Sequence, residues 1–199
     1  MSTATVRDKI LNSALDLFAK KGFSATSMDE IAEHAGMKGP NLYKYFKGKE
    51  DIFHEIYSLM EGTYKLGMGM NPKYEVWIHN GEELKIYSMK QIEFTLHNEN
   101  IRKLRKMGTI EQFRDEYQSR MASLHQFTNI CNFYTKIFEG LIKYGAIEKC
   151  DPEMAAMEYF APVSMLIQMY DREPEREKEI VSKMEQYIDF FIERYFIKK

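Results

Sequence analysis

Two cysteines and one tryptophan are all that 199 residues contain of either type. Cys131 and Cys150 lie far apart and form no CxxC or Cys/His ligand spacing. That excludes a disulfide framework and a zinc-ribbon scaffold, and fits a chain with reduced thiols. Five prolines and eleven glycines are too few for a low-complexity or collagen-like chain. Neither sign of charge dominates: 28 basic against 30 acidic residues leave a net charge of −2. The molecule is no polycation, so any contact with nucleic acid has to come from a local patch. No apolar run reaches membrane-spanning length and the N-terminus has no apolar signal region, so a soluble, cytoplasmic chain with no membrane partner is expected. Strand-type alternation is not sustained anywhere; residues 74–78 come nearest and are short and isolated. Catalytic signatures are missing too: HExxH, GxSxG, a P-loop and GxGxxG are absent, and no Glu-x-x-His offers a di-iron site. The five histidines are scattered, so neither an enzyme nor a cofactor or metal is expected.

Helix signals fill the chain instead. Ile10, Leu11, Ala14, Leu15, Leu17 and Phe18 form an apolar stripe at helical spacing, closed by Lys20, Lys21 and Gly22. Ser27 and Glu30 have capping-box spacing and open a helix carrying Met28, Ile31 and Ala32, which stops near Ala35 and Gly36. A turn typical of a helix-turn-helix follows, then residues 36–50, then a longer helix with Glu50 and Asp51 in its first turn and Ile52, Phe53, Ile56, Tyr57 and Met60 on one side. Residues 62–81 break the helical pattern with several glycines and Pro72, and a loop is expected there. Helices resume over about 82–97 and 99–113; 114–126 is ambiguous; a long helix then runs to Gly145. Asp151, Pro152 and Glu153 supply a cap acceptor, Pro at N1 and an acid at the positive end of the next helix. Inside it, Pro162 leaves the Glu158 carbonyl without its usual donor and predicts a kink. The last helix begins around Pro174.

Residues 36–50 make a poor packing helix: a Gly-Pro pair, two tyrosines, and Lys38, Lys44, Lys47 and Lys49 with no acid from Met37 to Lys49. The 35 residues before them mix both signs. Focusing positive charge on one element is what phosphate binding requires. The run from Phe18 through Gly22, Phe23, Thr26, Ser27 and Glu30 to Ala32, then Ala35, Gly36, and Leu42 through Tyr43, Tyr45, Phe46 and Lys49 to Glu50, resembles the DNA-binding domain of the TetR family of transcriptional regulators. The resemblance covers roughly residues 6–55 and is carried by several motif pieces in order.

The resemblance implies an all-α fold of about nine helices: a helix-turn-helix domain over residues 1–49, and a helical effector-binding and dimerisation domain over 50–199. Its implied function is a ligand-responsive repressor that binds a palindromic operator as a homodimer and is released by a small-molecule effector. The family's phosphate contacts fall on Tyr43 and Lys49, with Thr26 and Ser27 contributing from the second helix. Gly39 and Pro40 open the third helix without bulk, Asn41 is shaped for adenine or phosphate, Lys38 reaches guanine or the backbone, and Tyr45 adds a groove contact. Leu42 and Phe46 are expected to pack inward. Gly39 stands where many relatives carry a longer polar residue, which shifts base reading to its neighbours. In the second domain, Glu93, Phe94, His97, Asn129, Phe133, Tyr134, Met165 and Tyr170 are the expected effector contacts, an aromatic and polar mixture. Met154, Met157, Phe160, Met184, Tyr187, Ile188, Phe191 and Tyr195 are the expected dimer contacts, because both last helices are apolar around more than one stripe. A helical protein-interaction module, or a small helical enzyme without a recognisable motif, remains the alternative.

Overall fold

A computed structural model describes residues 5–67 and 78–197. Its helices are α1 (Val6–Lys21), α2 (Met28–His34), α3 (Gly39–Leu42), α4 (Lys49–Gly67), α5 (Gly81–His97), α6 (Glu99–Glu111), α7 (Glu116–Ser123), α8 (Asn129–Lys143), α9 (Pro152–Arg172) and α10 (Glu177–Tyr195). A π-helical turn, Leu124–Thr128, joins α7 directly to α8. Counting α7 and α8 as one interrupted helix gives nine among the described residues, and the only extended pairing there is an isolated bridge between Ile147 and Phe196. The all-α expectation holds. Residues 68–77, which include most of the expected loop and of the possible strand, lie outside the described residues; within 62–67 the chain is helical, since α4 runs on to Gly67. The ambiguous stretch after Arg114 is helical from Glu116.

Local chemistry sets the helix ends. Ser27 accepts from the Glu30 amide while the Glu30 carboxylate takes the Ser27 amide, the expected capping box. Thr5 and Asp8 form a second such box at α1. Asp151 caps α9 through the Glu153 and Met154 amides. Gly36 and Gly145 take φ of 72° and 66°, the left-handed region that a side chain resists, and let the amides of Met37 and Ala146 close back on Ala32 and Leu141.

Packing divides the chain into two compact units. The first is Met1–Lys65 with Asn98–Ser119, the second Leu66–His97 with Arg120–Lys199. In the first unit Ile10, Ala14, Phe18, Ile31, Leu42, Ile52 and Phe53 share a core with Met107 of α6, so α4 and α6 complete the helix-turn-helix core. In the second, α5, α8, α9 and α10 surround Leu84, Leu96, Phe138, Tyr159, Met184, Ile188 and Phe191. Tyr159 meets Tyr134, Phe138 and Phe191 with ring centroids 5.2, 5.6 and 4.8 Å away, all tilted edge-to-face.

Pro162 does not end α9, which continues to Arg172. The carbonyl it orphans, that of Glu158, accepts instead from the Tyr187 hydroxyl of α10, and the Glu158 carboxylate accepts from Tyr195 at 2.6 Å. A tertiary hydrogen bond therefore replaces the helical one. Tyr187→Phe is expected to lower stability by about 1–3 kcal/mol by leaving that carbonyl unpaired. In a Pro162→Ala background the restored amide takes over, and the penalty should largely vanish. Urea melts of the double-mutant cycle check this; an equal loss in both backgrounds would refute the substitution of one bond for the other.

Candidate nucleic-acid interface

The α2–turn–α3 element gathers the candidate residues. Leu42 and Phe46 are buried, as expected from the pattern, and they anchor a segment whose remaining side chains turn outward. Lys38, Pro40, Asn41, Tyr43, Lys44, Tyr45 and Lys47 are all exposed, Tyr43 at 55% and Tyr45 at 40%. Two large aromatic rings left in water beside lysines are not what core packing produces. Helix α3 is only four residues long, with no side-chain cap on Lys38, and continues as turn through Tyr45. Such a piece cannot hold its own shape. Leu42, Phe46 and Arg7 hold it: the Arg7 guanidinium lies 4.3 Å from the centre of the Phe46 ring, donates to the Tyr45 carbonyl at 3.1 Å, and pairs with Glu55. The role of Arg7 has no local signal, because its partners lie 38 to 48 residues away.

Gly39 sits beside α2. A Cβ there would lie 2.6 Å from an Asp29 carboxylate oxygen, the tip of an exposed side chain that can swing aside.

Two of the expected contacts have other partners. Thr26 is 2% exposed, and its hydroxyl donates to the Gly22 carbonyl at 2.8 Å. It braces the α1–α2 turn, leaving Ser27 as the exposed hydroxyl of the pair. The ammonium of Lys49, half-buried, donates to the carbonyls of Phe23 and Thr26 at 2.8 and 2.5 Å and lies over the Phe23 ring at 4.4 Å. Arg114 lies 4.3 Å from the same ring, and buried Glu111 accepts from the Phe23 amide at 2.8 Å while pairing with Arg114 at 3.0 Å. Gly22, with φ 84°, leaves room for this; a Cβ there would stand 3.0 Å from Glu111. Lys49 thus fastens α4 to the turn preceding the reading element. Lys21 and the Ser27 cap together depress the Glu30 carboxyl to about 2, so the cap stays charged well into acid.

The expected effector residues are not brought to one place. Glu93 and His97 are exposed, and His97 pairs with Glu177 at 3.0 Å. Met165 is 71% exposed. Phe133, Tyr134 and Tyr170 do face the second unit's interior, with Asn129 half-buried and Phe94 packed on Gly67. Among the expected dimer residues, Phe160, Met184, Ile188 and Phe191 are consumed by the chain's own core, because helices with two apolar faces gave no sequence criterion for choosing between them. Met154 remains exposed, and Met157, Tyr187 and Tyr195 are half-buried.

Residues 10–56 match the sequence model of the bacterial regulatory proteins, tetR family. The HTH-type transcriptional regulator YhgD of Bacillus subtilis is 28% identical over 87% of this chain and 88% of its own length. QacR of Staphylococcus aureus, another HTH-type transcriptional regulator, is 34% identical over 47% of this chain and 44% of its own. Over residues 10–56 the chain is of the TetR family. Solved structures share this fold over most of the chain. The SmeT–triclosan complex gives a TM-score of 0.75 at 17% identity, covering 97% of this chain and 92% of that one. A TetR-family regulator from Mesorhizobium loti gives 0.70 at 23% identity, covering 96% and 97%. Residues 36–50 lie within the matched segment, and the chain is a helix-turn-helix transcriptional regulator. No helix among the described residues is long and apolar enough to cross a membrane.

The bracing role of Lys49 predicts that Lys49→Met lowers thermal stability, by about 1–3 kcal/mol for lost charge-assisted bonds to buried carbonyls. A melting temperature unchanged beside lost DNA binding would instead make Lys49 a pure phosphate contact.

Proposed function

We propose that this regulator represses transcription by binding a palindromic operator as a homodimer, and that a small molecule held in its second unit releases it. The observation that carries the DNA-binding part is the outward row of Lys38, Asn41, Tyr43 and Tyr45 over buried Leu42 and Phe46. Within it Asn41 and Lys38 read base edges, Tyr43, Tyr45, Lys44 and Lys47 reach phosphates, and Ser27 adds a hydroxyl from α2. Gly39 and Pro40 keep the approach clear. Thr26 and Lys49 act behind this row, as braces. Residues 1–49 supply the reading surface, and 50–199 the effector and dimer functions; α4 and α6 serve the first part as well by packing into its core. A purely regulatory role, with no enzymatic activity, is part of the same reading.

A gel-shift titration against a library of genomic duplex fragments tests it. Wild-type binding should fall steeply with salt, since each neutralised phosphate adds roughly 0.9 to the logarithmic slope. Tyr43→Ala should weaken binding by about tenfold or more, a loss of roughly 1.4 kcal/mol, with unchanged melting temperature. Absence of duplex binding at low salt sinks the proposal.

For the dimer, exposure selects a different set from the sequence pattern. Met154, Glu158, Ala161 and Met165 form one outward row on α9, and Lys183, Phe190 and Arg194 lie exposed on α10, Phe190 at 57%. Tyr187 and Tyr195 tie the two rows together at Glu158. This face, apolar at Met154, Met165 and Phe190, is the surface on which we place the partner copy. Met165→Glu with Phe190→Glu should yield a folded monomer by sedimentation and abolish operator binding. A dimer that survives both changes places the interface elsewhere.

A further inference from the structure

Among the buried polar side chains described in the second unit, Gln91 carries an acceptor that its own chain does not satisfy. Gln91 of α5 is 6% exposed, and its side-chain oxygen Oε1 has no hydrogen-bond partner. A buried carboxamide oxygen without a donor forfeits on the order of 1–3 kcal/mol. A leucine at this position would avoid that loss, so a partner from outside the chain is the economical explanation.

The surroundings define what that partner is. On a helix the side chains bordering residue 91 are those at 87, 88, 94 and 95. Tyr87 reaches Phe133 of α8, with ring centroids 6.1 Å apart. Ser88 is hydrogen-bonded at 2.6 Å to the Tyr159 hydroxyl of α9. Phe94 lies against Gly67 at the end of α4, so closely that a Cβ on Gly67 would come within 2.0 Å of its ring edge. Gln91 is thus encircled by contacts to three other helices, most of them made by aromatic rings. Tyr87 and Phe133 are only partly buried, which leaves this side approachable. Among the described residues of this unit the fully buried polar side chains are Ser88, Gln91 and Thr95, and none carries a charge. An ionic guest would be desolvated there with no counter-charge.

We propose that Gln91 is the polar anchor of a site for an uncharged aromatic molecule bearing one hydrogen-bond donor, a phenol being the simplest case. Its ring packs with Tyr87 and Phe133, and its hydroxyl donates to Gln91 Oε1. This inference rests on the effector reading above and supplies the chemical class of that effector.

Calorimetry on the full chain without DNA tests it, with 4-propylphenol, its methyl ether, 4-propylbenzoate and a 4-propylanilinium quaternary salt as probes. The phenol should bind on the order of tenfold more tightly than the ether, which lacks only the donor, and both ions should bind more weakly still. In Gln91→Leu the phenol and ether should become equivalent, and the ligand-free protein should melt at a higher temperature because an unpaired acceptor is gone. Gln91→Met serves the same comparison if the leucine variant does not fold. Equal binding of phenol and ether to wild type, preference for either ion, or discrimination that persists in the variants overturns the proposal. So does binding of no probe, which would leave an ordered water as the partner of Gln91. Duplex binding of the same wild-type sample is measured alongside. If it is intact, such failures refute the ligand class alone; if it is absent, the regulator reading itself fails.

Discussion

The turn between α1 and α2 presents a backbone amide, two carbonyls and a phenylalanine ring that neither helix can satisfy. The placement of α2, on which the rest of the helix-turn-helix is built, depends on how these are met. Glu111 accepts the Phe23 amide, Lys49 donates to the Phe23 and Thr26 carbonyls, and Lys49 and Arg114 each place a cation within 4.4 Å of the centre of the Phe23 ring. Two cations on one ring would repel each other if uncompensated. Glu111 and Asp115 pair with Arg114 at 3.0 and 3.1 Å, and Lys49 spreads its charge over two carbonyl dipoles. The grip comes from α4 and α6 together, so the start of α2 is set by helices that do not belong to the helix-turn-helix.

That arrangement explains how a four-residue α3 can fill the reading role proposed for it. A helix of one turn with no cap has no independent stability. Its position is inherited from Leu42 and Phe46 in the core and from Arg7 over Phe46, which leaves the other side chains without a structural task. Freed from packing, they include the two exposed tyrosines and three exposed lysines that core requirements would have selected against. The weak intrinsic helicity of residues 36–50 and their fitness for binding have the same cause.

What was legible in the sequence was what is encoded within about one helical turn. The Ser27 cap, the Asp151–Pro152 start, the glycine exits at Gly36 and Gly145, and the inward Leu42 and Phe46 all follow from neighbours a few positions away. Pro162 marks the limit: the loss of a donor to Glu158 is a local consequence, but its replacement by Tyr187 is 29 residues distant and no pattern announces it. Thr26 and Lys49 are similar. Both residue types suit phosphate contact, and only the fold shows their polar atoms turned on the α1–α2 backbone. Helices α9 and α10 are apolar on two sides, so periodicity could not separate Phe160 and Ile188, in the core, from Met165 and Phe190, outside it.

The interior of the second unit can be understood by comparing two of its buried polar side chains, Tyr159 and Gln91. Tyr159 buries a phenol among aromatic rings, and burial pushes its proton affinity up, so the hydroxyl stays neutral and uses the Ser88 hydroxyl as its partner. That demand is closed within the chain and adds specificity to the packing of α5 on α9. Gln91, one turn further along the same face of α5, makes the same kind of demand and leaves it open. A core selected for stability alone has no use for the second residue once the first has fixed the register. On the proposal made above, the open demand beside the closed one keeps the fold independent of a ligand while the interior discriminates among ligands, because only a guest that supplies the missing donor gains what the empty protein forgoes.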